Sequence, residues 1–466
     1  MQSILSENKK TLNEILSKDK CFDLIERDIL VGNRKAIIYT IDGFTNGAVL
    51  QRIVQFLIDK KPEDIPDDFL DFTRKCIPHG EIMILKTYEK VKLCVFSGMS
   101  VLLVDGFEDA IAIDCREFPV RSVDEPTKDK VMRGSRDGFV ETLVFNIALI
   151  RRRIRSTEFC AELMQIGTSS QTDVALCYMN GRCDEKFVEA IRKKLKGIKA
   201  DSLSMNVESL AECIYKQKWL NPFPKFKYSE RPDTTSASLL EGNVVVMVDN
   251  CPAAMIIPTT VFDIIEDTDD YYFSPVVGTY LRWSRIIITL STILISPVYL
   301  LMCMYPDYVP EWLIFTLPKE VVNVPIALQF LILEFAVDGL KLASLNTPNT
   351  LSTPLSVIAG IVVGEYAISS GWFNEEVVLY MAFVTLSNYT QSSFELGYAF
   401  KFFRYLLLLF TSLFGIWGFF GGLAIILLAC ITNKTIAGTS YLYPFIPLDI
   451  RKIMQQFFRV DIKRKE

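Results

Sequence analysis

The sequence predicts an α+β cytoplasmic N-terminal region of two subdomains, followed by an α-helical transmembrane bundle. Charged residues are spread through positions 1–270, whereas long uncharged runs begin at Ile286. About 20 apolar residues in a helix span the hydrocarbon core of a bilayer, so only the second half has the composition of membrane helices. We expect subdomains at residues 1–130 and 131–275, a bundle of four to six segments at 276–435 and a basic tail at 436–466.

The first subdomain alternates short apolar runs with turn residues. Lys35–Ile41 predicts a strand and Leu50–Ile58 a helix. Further strands are predicted at Ile82–Tyr88, Val91–Phe96, Ser100–Leu103 and Ala110–Ile113. Because Ser97-Gly98 and Asp105-Gly106 are turn signals between them, these runs indicate a small antiparallel sheet.

The second subdomain begins with a predicted helix at Gly138–Arg155. The remaining predicted elements are strands at Asp173–Met179, Val244–Val248 and Ala254–Ile257, and helices at Glu185–Leu195 and Val207–Lys216. In the segment that follows Glu230, Pro232 fixes the backbone and Asp233 is expected to cap a helix. The basic cluster at Arg151–Arg155 could bind an acidic neighbour, but a solvated helix end is the simpler interpretation.

Four uncharged or nearly uncharged runs predict membrane segments. They are Ile286–Met304, Leu351–Ser370 with Glu365 inside it, Val377–Phe394 and Tyr405–Asn433. The first run follows Arg282, Trp283 and Arg285, a basic and aromatic anchor of the kind found at membrane interfaces. The last run has 29 residues, which is long for one helix unless it tilts.

A fifth apolar segment, Val321–Lys341, contains the carboxylates Glu334 and Asp338 on one helical face. Ionisable side chains within membrane segments usually face a bundle interior or water. Glu334, Asp338 and Glu365 are therefore candidate pore residues, while an interfacial helix remains an equal alternative for the first two.

The charges leave the topology unsettled. The tail carries Arg451, Lys452, Arg459, Lys463, Arg464 and Lys465, which favours a cytoplasmic C-terminus. The N-terminus has no apolar core of a signal peptide, so both ends are expected on the cytoplasmic side. Four crossings would place Lys401 and Arg404 on the side opposite the cytoplasm, where basic residues are disfavoured. If Val321–Lys341 also crosses, the last run must cross twice or not at all.

Two pairs of glycines have the spacing of helix-packing motifs. Gly360 and Gly364 form one pair, and Gly418 and Gly422 the other. Without side chains at these positions two helices can approach closely, although glycine is also frequent in membrane helices for other reasons.

Enzymatic function has little support in the sequence. The chain has no phosphate-binding or dinucleotide-binding glycine motif and no metal-ligand spacing, and His79, its single histidine, stands without a catalytic constellation. We therefore expect no catalytic residue, cofactor or metal. The net charge of −5 does not favour nucleic acid as a partner. Eleven scattered cysteines without a C-x-x-C pair suit a reducing compartment.

Several stretches, in order, resemble the GerA family of spore germination proteins. They are RGSRDGFVETLVFNIALIRRRIR at Arg133–Arg155, ERPDTTSASLLEG at Glu230–Gly242, VVVMVDNCPAAMIIPTTVFDIIEDTDDYY at Val244–Tyr272, PVVGTYLRW at Pro275–Trp283 and YLYPFIPLD at Tyr441–Asp449. Candidate structural residues of these motifs are Arg133, Gly134, Arg136, Gly138, Arg231, Pro232 and Asp233. Phe373–Phe383, Ser393–Arg404 and Phe445–Val460 resemble a branch of the family other than the nutrient-receptor A subunits.

The resemblance implies a multi-span protein of the spore inner membrane, with its N-terminal domain on the core side. It also implies a homo-oligomer in contact with lipid, with an additional small membrane partner subunit, that conducts cations and amplifies their release during germination. A non-conducting signalling or assembly subunit and a transporter are the alternatives. Saturable, gradient-coupled uptake would support the last of these.

Overall fold

The computed structural model describes residues 1–16, 18, 24–42, 44–117, 125–126, 130–216, 219, 221–319, 322–347, 357 and 360–459. The chain forms two compact units, Met1–Arg121 and Ser122–Glu466. The first unit contains one sheet. The second contains another sheet and a helical part.

The first unit is a five-stranded antiparallel sheet between two layers of helices. Its elements are α1 (Leu5–Ile15), β1 (Leu24–Val31), β2 (Arg34–Ile41), α2 (Gly47–Ile58), α3 (Phe69–Cys76), β3 (Ile82–Leu85), α4 (Tyr88–Phe96), β4 (Ser100–Val104) and β5 (Ala110–Ile113). The strand order is β1-β2-β4-β5-β3. Alternate residues of β2 enter opposite cores, with Ile38 on the side of α2 and α3 and Tyr39 on the side of α1 and α4.

One predicted strand is wrong. Val91–Phe96 belongs to helix α4, whose N-cap is Thr87, with its side chain accepting a hydrogen bond from Lys90 N–H. Val91, Cys94 and Val95 are buried at helical spacing against the sheet. A short run rich in β-branched residues suits either structure, and here the cap and the three-four spacing favour the helix.

The sheet of the second unit has the same connectivity as the first. Its elements are α5 (Leu143–Arg153), β6 (Phe159–Ile166), β7 (Thr172–Met179), α6 (Glu185–Lys196), α7 (Asn206–Ile214), β8 (Lys227–Ser229), α8 (Pro232–Leu240), β9 (Val244–Val248) and β10 (Ala254–Ile257). The strand order is β6-β7-β9-β10-β8, and every pairing is antiparallel. Both sheets therefore follow a β-β-α-α-β-α-β-β path through the chain. The predicted α+β class is confirmed for this N-terminal region.

A helical part completes the second unit. Its elements are α9 (Val261–Ile265), α10 (Asp269–Tyr272), α11 (Pro275–Met304), α12 (Ile326–Asn346), α13 (Glu375–Tyr389), α14 (Phe394–Thr432) and α15 (Ile450–Phe457). A π-helical turn, Gly360–Tyr366, leads into Ala367–Ser369 ahead of α13. By length and apolarity, α11 and α14 could each cross a membrane. Of the predicted segment Leu351–Ser370, the part that precedes Gly360 lies almost entirely outside the described residues.

Contacts at helix ends establish the direction of each helix. The near end, beside the second sheet, holds the start of α11, where Arg282 binds Glu266, and the start of α14, where Ser392 Oγ donates to Ile264 O. At the far end, Gln329 of α12 binds Asn374, just before α13. Helices α12 and α13 therefore both run from the far end to the near end, opposite to α11.

Helix α14 is a hairpin. Gly415 has φ 58° and ψ −135°, values outside the helical region, and the chain reverses there. Gly418 lies against the Phe410 backbone and Gly422 against Leu407, so residues 416–432 pack antiparallel to residues 394–414. After Thr432 the chain is again at the near end, where Asn221 Nδ2 donates to Asn433 Oδ1 over 2.9 Å.

Candidate functional site

A buried ion pair joins helices α12 and α14 in the interior of the bundle. Glu334 and Arg404 are both 0% exposed, and Arg404 Nε donates to Glu334 Oε1 at 2.5 Å. Arg404 also donates through Nη1 to the carbonyl of Thr292 on α11, at 2.6 Å. One guanidinium thus connects three helices.

A second ion pair lies one helical turn away. Lys401 donates from Nζ to Asp338 Oδ2, and its Nζ is also 3.7 Å from Glu334 Oε2. Lys401 is 7% exposed, whereas the Asp338 side chain keeps 33% exposure. The four side chains carry two negative and two positive charges, so the network is neutral within one chain.

The network lies at mid-height of the bundle. Arg404 is ten residues beyond Phe394, about 15 Å along a first hairpin leg of about 31 Å. Glu334 is likewise near the middle of the 21-residue helix α12. A cavity of about 40 Å³ adjoins Asp338 and Lys401, which is room for water at the more exposed pair.

Glu365 has a different environment. It lies in the π-helical turn, it is exposed, and no described residue forms a hydrogen bond or an ion pair with it. A Cβ added at Gly360 or Gly364 would meet no described atom within 4 Å. Among the described residues, none contacts the Glu365 carboxylate or closely approaches Gly360 and Gly364, unlike Gly418 and Gly422 in the hairpin.

Three stretches of the N-terminal motifs meet at Arg231. Arg231 is 0% exposed and donates to both carboxylate oxygens of Asp233 and to the carbonyl of Ser135. The hydroxyl of Tyr272 donates to the same carboxylate at 2.5 Å. Burial alone would lower the pKa of Arg231, but the ion pair with Asp233 raises it. Gly134, at φ 134°, lies where a Cβ would be 2.5 Å from Tyr272 Cζ.

The predicted capping role of Asp233 holds in part, because Asp233 Oδ1 accepts a hydrogen bond from the first-turn amide of Thr234 at 2.9 Å. Helix α8 has Arg231 at its N-cap and Pro232 at its first helical position, so Asp233 lies inside the first turn. Asp233 is thus not the N-cap residue, and its carboxylate also binds Arg231. Of the other motif residues, Arg133 and Arg136 are exposed and Gly138 is buried. Within the basic cluster, Arg153 binds Asp137 at 2.6 Å, while Arg151, Arg152 and Arg155 are exposed.

A junction of charged residues connects the second sheet region to the start of α11. Arg282 binds Glu266 at 2.7 Å, and Arg285 binds Asp270 at 2.7 Å. Asp270 is fully buried, and burial raises its pKa although the arginines oppose that shift. Arg282 Nη1 also donates to the carbonyls of Gln455 and Gln456, so the junction includes the C-terminal segment.

The sequence indicated only part of this site. The sequence indicates Glu334 and Asp338 directly, whereas it indicates Lys401 and Arg404 only because four crossings would place them on the wrong side of the membrane. Arg282 and Arg285 were identified as an interfacial anchor, without their carboxylate partners. No group of three or more potential metal-ligating side chains occurs among the residues described.

Comparison with known proteins gives a consistent result. The profile of the family described as Bacillus/Clostridium GerA spore germination protein matches residues 10–466. Stage V sporulation protein AF of Bacillus subtilis is 32% identical over 97% of this chain and 92% of its own length. Spore germination protein KA of the same organism is 25% identical over 95% and 83%.

A solved structure is also similar in sequence. The crystal structure of the N-terminal domain of the A subunit of the Bacillus megaterium spore germinant receptor GerK3 is 28% identical. The match covers 55% of this chain and 96% of that domain, with a TM-score of 0.23.

Proposed function

Because the chain belongs to the GerA family of spore germination proteins, we propose that it is a multi-pass protein of the spore inner membrane that oligomerises and conducts cations during germination. Its similarity to stage V sporulation protein AF over nearly the whole chain supports a role in the spore, and amplification of ion release is part of the proposal. The N-terminal region would lie on the core side. A homo-oligomer with an additional membrane partner subunit is part of this proposal.

The directions of the helices support six crossings. Helix α11 leaves the near end, α12 returns, α13 starts again at the far end and returns, and the two legs of α14 go out and back. The crossing between α12 and α13 is assigned to residues 347–374, most of which before Gly360 lie outside the described residues. Both ends of the bundle path are then on one side, as the basic tail requires. In this topology Lys401 and Arg404 do not conflict with the charge rule, because they are neutralised inside the bundle by Asp338 and Glu334.

The exposed carboxylate of Glu365 carries the proposal of conduction. An ionised side chain facing lipid costs several kcal/mol, so it is retained where it meets water or another protein surface. Glu334 and Asp338 are neutralised by cations of the same chain, so we assign them to holding the helices together. We assign Glu365 to the ion path of the oligomer, where repeated carboxylates would attract cations. Gly360 and Gly364 allow a neighbouring copy to approach this segment closely.

Potassium flux from liposomes containing the purified full-length protein tests this assignment. Glu365→Gln should lower the flux at least tenfold, the effect of losing about 1.4 kcal/mol of cation attraction. Glu375→Gln is the matched control. Glu375 is also an exposed glutamate, but it lies at the first residue of α13, at the far end of the bundle and outside the π-helical turn. Unchanged flux in the Glu365→Gln oligomer would remove Glu365 from the path.

The neutrality of the buried network favours one alternative, a non-conducting signalling or assembly subunit. In that case the unsubstituted protein would form oligomers in detergent but would show no flux, alone or with its partner subunit. An image of the oligomer along its symmetry axis, with the helix that lines the centre identified, separates the two functions directly.

A further inference from the structure

The C-terminal segment forms an amphipathic helix against the start of the first long apolar helix. Phe457 of α15 contacts the rings of Trp283, Phe262 and Phe445, with centroids 5.4, 6.0 and 5.7 Å away. Arg282 donates to two carbonyls at the end of α15, and Arg459 N–H donates to Thr279 Oγ1. These contacts fix the C-terminal end of α15 beside α11.

The other end of α15 leaves its apolar residues uncovered. Ile450, Met454 and Phe457 follow the spacing i, i+4, i+7 on one face. Phe457 is covered by the contacts above, but Ile450 is 69% exposed and Met454 52% exposed. Leu448, just before the helix, is also 69% exposed. The apolar stripe thus begins in a protein contact and continues onto an open surface.

Basic residues lie on the faces of α15 beside and opposite this stripe. Arg451 and Lys452 are exposed on α15, and the segment 441–459 contains three basic residues and one acidic residue, Asp449. The Asp449 carboxylate accepts a hydrogen bond from Lys452 N–H, so it caps the helix. An exposed apolar stripe with adjacent cations is the pattern of a helix that lies in a membrane interface.

The position of α15 along α11 matches the level of such an interface. Val276, Tyr280, Trp283 and Ile287 are exposed on one face of α11. Tyr280 and Trp283 are the residue types that anchor helices at the headgroup level, and the uncharged run starts at Ile286. Since Phe457 and Phe458 contact the Trp283 ring, α15 lies beside this anchor.

We propose that α15 lies flat on the bilayer and binds anionic phospholipid headgroups, with Ile450 and Met454 in the acyl boundary and Arg451 and Lys452 at the phosphates. The inference rests on the membrane crossing of α11 proposed above. Anionic lipid is the partner that suits both the apolar stripe and the positive charge. A second protein copy would explain the stripe but gives no role to the cations.

Hydrogen exchange of the full-length protein in lipid nanodiscs tests the proposal. Amides 450–458 should exchange about tenfold more slowly in bilayers with 30% phosphatidylglycerol than in pure phosphatidylcholine, because each basic residue near an anionic surface adds attraction. Arg451→Gln with Lys452→Gln should abolish the difference between the two lipids. Lys193→Gln with Lys196→Gln, two exposed positions on α6, is the matched control and should leave it unchanged.

Each other result has a definite meaning. Equal exchange of 450–458 in both lipids, with amides 286–304 protected in both, would overturn the lipid contact and leave the membrane crossing intact. Unprotected amides at 286–304 would contradict the crossing itself. Protection of 450–458 that depends on protein concentration and not on lipid charge would mean that another copy covers the helix, and the proposal would again be wrong.

Discussion

Removing either partner of the Glu334–Arg404 ion pair is expected to destabilise the helical bundle. Loss of one member of a buried ion pair costs roughly 3–5 kcal/mol, because the remaining charge is left without compensation. The costs should differ for the two partners. After Arg404→Met, Lys401 remains 3.7 Å from Glu334 and compensates in part, so the cost should be near 3 kcal/mol. After Glu334→Leu, Lys401 keeps Asp338 and Arg404 keeps only a carbonyl, so the cost should be near 5 kcal/mol.

The double variant Glu334→Leu with Arg404→Met provides the decisive comparison. Both charges are then gone, and the bundle should recover to within about 1 kcal/mol of the unsubstituted protein, since apolar replacement of a buried pair is often neutral. Unfolding in mixed micelles with increasing dodecyl sulfate, followed by tryptophan fluorescence, measures these differences. Four of the five tryptophans lie between residues 283 and 417, so the signal reports on the helical part. Additive losses in the double variant, or silent single variants, would refute the reasoning.

The remaining predictions concern the hairpin and the second sheet. Gly418→Ala should destabilise the bundle by about 1–3 kcal/mol, because the new Cβ collides with the Phe410 carbonyl. Gly421→Ala should leave the stability unchanged, because its Cβ meets no described atom within 4 Å. The dodecyl sulfate titration in mixed micelles compares the two variants. Burial opposes the shift, but hydrogen bonds from an arginine and a serine hold the pKa of Asp137 below its usual value. The stabilisation by Asp137 is therefore fully present above about pH 4 and is lost as the pH falls through the lower folded-state pKa. Asp137→Asn should lower the thermal stability at pH 7, and the variant should lose less stability than the unsubstituted protein when the pH is lowered below about 4. Glu158→Gln, at a half-exposed pair, should change stability by less than about 1 kcal/mol, and equal effects of the two variants would contradict the assignment.

The sequence predicted the central strands better than the edge strands. Val244–Val248 is buried on both faces, so its continuous apolar run was recognisable. Strands β1 and β6 are at sheet edges and were not predicted, because charged and polar residues alternate with their few buried positions. The sequence predicts a strand at Val91–Phe96, within helix α4, because a short apolar run has no clear period.

For the candidate site, the sequence could indicate single residues but not their pairing. The carboxylate of Glu334 was conspicuous because it interrupts an apolar segment. Its partner Arg404 lies 70 residues away, and only the packing of two helices reveals that they meet. The reversal at Gly415 is equally hidden in the sequence, because residues 405–433 form one uninterrupted uncharged run. The sequence does show that four crossings would place Lys401 and Arg404 on the wrong side of the membrane. The pairing of Arg404 with Glu334 and the reversal at Gly415 together explain that conflict.

At the near end of the bundle, three of the helix ends are bound by side chains and carbonyls of residues 225–266. Helix α11 starts there through Arg282, the hairpin starts at Ser392, and it ends at Asn433, where Lys225 donates to the Asn433 side chain and to a neighbouring carbonyl. The three helix ends therefore share one binding region, residues 225–266, which also contains strands β8, β9 and β10. A displacement of any of these three helix ends would therefore act on the same region of the chain.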